Sequence, residues 1–225
     1  MNIQILHMID GAKNAKGITV IIDVFRAFSV EAYFFAGGVK KIIPVGDVNL
    51  AYKLKEENPD FILAGERHGK ILPGFDVGNS PSELIKLDYR GRAVVHTTSA
   101  GTQGIANAKN ADEILGASLV NAGATARYIK SRNPENVSLV CMGLEALSQT
   151  EEDNLCAYYI KSILEGTSID MQSEIEKLKH TSGAKFFDKA QNSVFPEADF
   201  GMCTRIDCFD FVMKMTNEGV MQSFG

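Results

Sequence analysis

Short runs of β-branched and other apolar residues alternate along the chain with segments whose apolar positions recur every three or four residues. "GITVIID" (17–23) is the first such run and predicts a buried strand. "SVEAYFFAGG" (29–38) predicts a helix closed by its glycines. The pattern repeats with a strand at "KKIIPV" (40–45), a helix over 47–57 and a strand at "FILA" (61–64). "RAVVHTT" (92–98), "DEILGA" (112–117) and "VSLVCMG" (137–143) predict further strands, with helices over about 101–109 and 120–132. Leu155, Cys156, Tyr159, Ile160, Ile163 and Leu164 fall on one face of a helix predicted over 151–165. The more polar stretch 166–200 predicts helix broken by loops, and "RIDCFDFVMKM" (205–215) a returning final strand. This alternation predicts an α/β fold, a three-layer α/β/α sandwich around a mainly parallel or mixed sheet. The 225 residues suffice for one such domain, or for two subdomains sharing a cleft.

Composition narrows the partners. The 45% apolar content can fill the core of a soluble protein. With a net charge of −5 and no cluster of Lys and Arg, nucleic acid is not an expected partner, although a few arginines can still bind a small anion. No apolar run approaches the roughly 18 residues of a membrane helix, so no membrane partner is expected. Cys141, Cys156, Cys203 and Cys208 are scattered without a C-x-x-C pair, which suits reduced thiols. No basic stretch followed by an apolar core opens the chain, so a cytoplasmic protein without a signal peptide is the expectation. A homo-oligomer stays open.

In open α/β sheets ligands bind beyond the carboxyl ends of the strands, so polar residues just after each predicted strand are the first candidates. These are Asp23 and Arg26, Glu66 and Arg67, Thr97, Thr98 and Ser99, and Gly143 with Glu145, expected along one sheet edge. In "IIDVFRA" the acid and arginine are either a helix cap with its partner, or a metal-ligating or nucleophilic carboxylate beside an anion-binding guanidinium. "HTTSAGTQG" (96–104) brings hydroxyls and glycines to a helix start, where they cap the helix or cradle a phosphate. "TEEDN" (150–154) is open in the same way. It reads as a capping box from Thr150 to Asp153, or as Glu152 or Asp153 helping Asp23 or Glu66 hold a divalent cation. Oxygen ligands of this kind suit Mg²⁺ rather than zinc. "GERHGKILPGFDVGNSPSE" (65–83) ends in a helix-start signature of Ser80, Pro81 and Glu83. Its earlier part presents Glu66, Arg67, His68, Lys70, Asp76 and Asn79 on a glycine-rich loop, a common carrier of function.

At these residues the chain resembles the 2-phosphosulfolactate phosphatase family. The matching segments are "VIIDVFRA" (20–27), "AGERHGKILPGFDVGNSPSE" (64–83), "VVHTTSAGTQ" (94–103), "GASLVNA" (116–122) and "EEDNLCA" (151–157). They occur in the family's order across about residues 18–160, and "FGMCTRIDCFDFV" (200–212) fits more loosely. Phe28, Ser29, Ser99 and Ala100 depart from the family's usual residues, which bears on the substrate more than on the chemistry. The resemblance implies Mg²⁺-dependent hydrolysis of (2R)-2-phospho-3-sulfolactate to 3-sulfolactate and phosphate, a step linked to coenzyme M biosynthesis. The expected partner is thus a small phosphorylated and sulfonated anion. Under that reading Asp23, Arg26, Glu66 and Arg67 are the expected catalytic residues, and Asp23, Glu66 and Asp153 the Mg²⁺ ligands. Asn79, Thr97, Thr98, Ser99, Gly101 and Thr102 are expected to bind the substrate. Two rivals stay open: a phosphatase for another small phosphorylated hydroxy acid, and a protein that binds an anionic metabolite without turnover.

Overall fold

A computed structural model describes every residue from Met1 to Gly225. The apolar runs become strands and the periodic segments helices. The first half of the chain contains β1 (Asn2–His7), α1 (Met8–Asn14), β2 (Gly17–Ile22), α2 (Ala27–Ala36), β3 (Lys41–Pro44), α3 (Val48–Glu57) and β4 (Ile62–Arg67). Then come β5 (Lys70–Ile71), α4 (Pro81–Leu84), β6 (Ala93–Thr97), α5 (Gly101–Asn107) and β7 (Ala111–Ala117). The chain ends with α6 (Ala122–Arg132), β8 (Asn136–Cys141), α7 (Glu151–Glu165), α8 (Met171–Leu178), α9 (Glu197–Cys203), β9 (Val212–Met215) and β10 (Met221–Phe224). No helix is long and apolar enough to cross a membrane.

All ten strands join one mixed sheet in the order β1–β8–β2–β7–β9–β10–β3–β6–β4–β5. Strands β1, β8, β2 and β7 run parallel, and so do β3, β6 and β4. Between the groups lies the antiparallel hairpin β9–β10, itself antiparallel to β7 on one side and to β3 on the other. Three reversals leave the two parallel groups running in opposite senses. Their carboxyl ends nevertheless meet, because Asp23 and Gly143 from one group line the same cleft as Glu66 and Ser99 from the other. The sheet must therefore turn over on itself at the hairpin, where a single residue pair, Met221 opposite Ile42, joins β10 to β3. The expected row of residues along one sheet edge is thus a cleft between two sheet halves.

Alternation along the strands builds the layers. Ile18, Val20 and Ile22 of β2 and Leu139 of β8 pack with Ile129 of α6 and Leu155 and Ile160 of α7. Ile21 and Val140 point the other way, into a cluster with Ala12 of α1, Phe28 and Phe34 of α2 and Ile105 of α5. The expected three-layer α/β/α architecture is the one observed.

Two segments differ from the pattern. Strand β1 and helix α1 were not foreseen, since "NIQILH" carries its apolar residues singly, as an edge strand does. The strand expected over 205–215 is confined to β9. Ahead of it Asp207 turns inward to cap α6, accepting from the Gly123 N–H (2.6 Å) and the Tyr159 hydroxyl (2.8 Å). The sheet gains β10 in exchange.

Candidate active site

Asp23 follows β2, and the Ala27 N–H at the start of α2 donates to its Oδ1 (3.1 Å). Burial pushes its carboxyl up to about 6, against the pull of that amide and with the Glu66 and Glu152 charges adding to the rise. Glu66, near the end of β4, is held by more donors. The Ser99 N–H donates to Oε1 (2.8 Å), while the Gly69 N–H (2.7 Å) and the Ser99 hydroxyl (3.2 Å) donate to Oε2. Gly69 sits at φ +75°, and a Cβ there would stand 2.7 Å from the Phe195 ring. Only glycine lets this amide reach Glu66.

In the turn into α5 the Thr98, Ser99 and Thr102 amides serve the protein's own side chains. Thr98 and Thr102 cap each other, the Thr102 N–H donating to Thr98 Oγ1 (3.2 Å) and the Thr98 N–H to Thr102 Oγ1 (2.9 Å). The Thr97 hydroxyl accepts from Arg67 Nη2 (3.0 Å). These three threonines, expected to bind substrate, are buried and lie off the cleft, whereas Ser99 lines it. Gly101 contributes by its bareness: a Cβ would stand 2.8 Å from Ala27 Cβ and 3.0 Å from Asp23 Oδ2.

The expected cations also divide. Arg26 lines the cleft but is already committed, its Nη1 donating to Asp199 Oδ2 (2.8 Å) and to the Val194 carbonyl (2.9 Å), with its guanidinium over the Phe195 ring. Arg67 turns away from the cleft and braces its walls, donating to the carbonyls of Glu66 (2.7 Å) and Gly46 (3.3 Å) and to Thr97. His68 Nδ1 and Glu145 Oε1 meet at 2.7 Å across the mouth, joining the loop after β4 to the loop after β8.

Asp153, expected as a metal ligand, is a structural bracket. Its Oδ1 accepts from the Val24 N–H and its Oδ2 from the Gly143 N–H, both at 2.8 Å, which ties the ends of β2 and β8 together behind the cleft wall. Burial and the charges of Glu152 and Asp23 hold its carboxyl well above the usual carboxylate range. One position earlier, about 100° around the helix, Glu152 does line the cleft, and its Oε2 has no hydrogen-bond partner. Burial raises its pKa too. Asn79 also lines the cleft with an unpartnered Oδ1. Asp76 is a brace rather than a ligand, accepting from the Leu63 N–H (2.8 Å) and Lys55 Nζ (3.2 Å).

Sequence reasoning missed Asp199, Lys185 and Phe195. All three come from the irregular stretch 166–200, where no periodic signal places a side chain. Asp199 is fully buried and holds Arg26 with one oxygen, while the other accepts from the Ser80 hydroxyl and the Ser82 N–H, both at 3.0 Å. Ser80 thus begins α4 as predicted, but the capping oxygen belongs to Asp199.

No three acidic, histidine or cysteine side chains converge closely enough to ligate an ion alone. Mg²⁺ takes one or two carboxylates and fills its octahedron with water and substrate oxygens. Asp23 and Glu66, two carboxylates lining one cleft, fit that habit. The space of the cleft, its open mouth included, is about 590 Å³.

Comparison with known proteins finds relatives along most of the chain. The chain is 34% identical over 205 residues to "Probable 2-phosphosulfolactate phosphatase" of Bacillus subtilis, covering 90% of this chain and 88% of that protein. It is 33% identical to the protein of the same name in Caldicellulosiruptor saccharolyticus, covering 88% of each. A further relative of that name, from Thermoplasma volcanium, is 29% identical across 92% of this chain and 94% of its own length. The family model described as 2-phosphosulpholactate phosphatase matches residues 4–218, which include every strand end that builds the cleft. On that match the chain belongs to the 2-phosphosulpholactate phosphatase family.

Proposed function

We propose that this protein is a Mg²⁺-dependent phosphatase that hydrolyses (2R)-2-phospho-3-sulfolactate to 3-sulfolactate and phosphate, within coenzyme M biosynthesis. Family membership supports the substrate class. The observation that carries the chemistry is the gathering of three buried carboxylates, Asp23, Glu66 and Glu152, in one cleft with Arg26 and Lys185. Buried like charges are costly unless a cation joins them.

When bound, Mg²⁺ would neutralise phosphoryl oxygens and the charge that develops as the P–O bond breaks. Asp23 and Glu66 would hold it, each already aimed by backbone N–H groups, so little reorganisation accompanies the reaction. Arg26, fixed on Asp199, would orient the phosphoryl group from the aromatic side of the cleft. Asn79 and Ser99 would position the substrate. Glu152, with a free oxygen and a raised pKa, would take the proton of the water attacking phosphorus. The ester oxygen leaves in line and takes a proton from solvent water to become the hydroxyl of sulfolactate, and Glu152 returns the proton it accepted to solvent.

Phosphate release from phosphosulfolactate, phospholactate and phosphoglycolate, each with Mg²⁺, tests this reading. Preference for the sulfonated substrate is the expected result. Equal rates would mean a phosphatase for another hydroxy acid, and binding without release would mean a metabolite sensor.

A further inference from the structure

We propose that Lys185 is a specificity-determining residue that reads the substrate's second anionic group, the carboxylate or sulfonate remote from the phosphate. The proposal rests on the phosphatase reading above for the identity of that substrate. Lys185 lies in a 3₁₀ turn (Ala184–Phe187) between α8 and α9, and it lines the cleft alongside Asp23, Glu66 and Arg26.

Three basic side chains line this cleft, and two of them already meet a carboxylate. Arg26 is closed by Asp199 and the Val194 carbonyl, and His68 by Glu145. Lys185 pairs with no carboxylate and donates no hydrogen bond. What holds its ammonium is aromatic: Nζ stands 5.1, 5.6 and 5.8 Å from the ring centroids of Phe195, Phe186 and Phe25. Cation–π attraction places an ammonium without using its N–H protons, so all three donors remain for a ligand.

The surroundings are built for such a ligand. Glu152 and Asn79 line the cleft, and each keeps one buried oxygen, Oε2 and Oδ1, without a partner, where buried polar atoms are seldom left unsatisfied. A simpler role, counter-ion to Glu152, does not account for the arrangement. Lys185 is close enough to pull the Glu152 pKa down, yet it has not closed into an ion pair, and that carboxylate keeps an unpartnered oxygen. With the phosphate at the Mg²⁺ that Asp23 and Glu66 would hold, and the Arg26 charge balanced by Asp199, the remaining anion has one cation without a carboxylate partner to meet.

The test is steady-state kinetics of Lys185→Gln and Lys185→Arg. On 2-phospho-3-sulfolactate, Lys185→Gln should raise KM roughly 10- to 100-fold, the weight of a charge-assisted hydrogen bond, while any change in kcat from the lost charge near Glu152 should be shared with isopropyl phosphate. Isopropyl phosphate, which has no second anion, should show the same KM in both proteins. Lys185→Arg should recover most of the affinity. Phospholactate (carboxylate alone) and the phosphate ester of 2-hydroxyethanesulfonate (sulfonate alone) identify the group read, by which KM rises in the variant. An unchanged KM for phosphosulfolactate, or an equal loss on isopropyl phosphate, would overturn the proposal. Calorimetric binding of unphosphorylated 3-sulfolactate, with Mg²⁺ present, separates this from the phosphatase reading. If wild type binds it and Lys185→Gln binds about tenfold or more weakly, Lys185 keeps its role even where no phosphate is released. Equal binding by both proteins, or none by wild type, sinks it.

Discussion

Replacing Asp199 by asparagine strands Arg26. The two side chains are 0% and 3% exposed and meet at 2.8 Å, so neither charge has water to fall back on. The substituted amide would keep one acceptor for Ser80 and Ser82 but could offer Nη1 of Arg26 no carboxylate. Breaking a buried pair from one side costs about 3–5 kcal/mol. In a chain of this size each kcal/mol lowers Tm by roughly 2–4 °C, so a fall of roughly 6–20 °C is expected. Arg26→Met should cost a similar amount by stranding Asp199. The double variant removes both charges and should lose less than the two single losses summed, by a coupling of about 2–3 kcal/mol in the cycle. Urea unfolding of the four proteins by circular dichroism measures it. Activity should fall in both single variants and stay low in the double, because the guanidinium is gone. A wild-type melting curve for Asp199→Asn, or losses that add to within about 0.5 kcal/mol, would refute the claim that Asp199 fixes Arg26.

Two further expectations follow from the site's geometry. Gly101→Ala forces a methyl within 3.0 Å of both Ala27 Cβ and Asp23 Oδ2; it should destabilise by about 1–3 kcal/mol and lower kcat/KM, read by thermal melts and phosphate release, and full activity would show that Asp23 need not sit where it does. Glu152→Gln should keep its stability while losing on the order of 10²–10⁴ in kcat, as loss of a general base does, whereas Asp153→Ala should unfold readily, since the buried Val24 and Gly143 N–H groups lose their acceptor at about 1–3 kcal/mol each; the reverse pattern would exchange the two roles.

Much of the fold was legible because buried strands write themselves as continuous apolar runs, and "GITVII" and "NVSLVC" needed no further context. The reversal at β9–β10 was not legible. It depends on which strands pair across a hundred or more residues, and a four-residue strand such as "VMKM" says nothing of its neighbours. Within the site, the rule of polar residues after strands found Asp23, Glu66 and Ser99, because those positions are dictated by the strand ends. The rule also offered Thr98, which with Thr102 caps α5 away from the cleft, because a hydroxyl at a helix start serves a cap and a ligand equally well from sequence. The choice between Glu152 and Asp153 turned on the rotation of α7 about its own axis, which tertiary packing sets. Lys185 reaches the cleft, and Asp199 the Arg26 beside it, from an irregular stretch, so only the folded chain brings them there.

The central claim is that Asp23 and Glu66 make this cleft a Mg²⁺-dependent phosphatase site. Its most direct test is phosphate release from 2-phospho-3-sulfolactate by wild type and Asp23→Asn while Mg²⁺ is titrated into chelator-treated protein. The account predicts no release before Mg²⁺ is added, saturable activity in wild type, and a loss of roughly 10²–10³-fold or more in the variant. Full activity without a divalent cation, or equal rates in the two proteins, would contradict it.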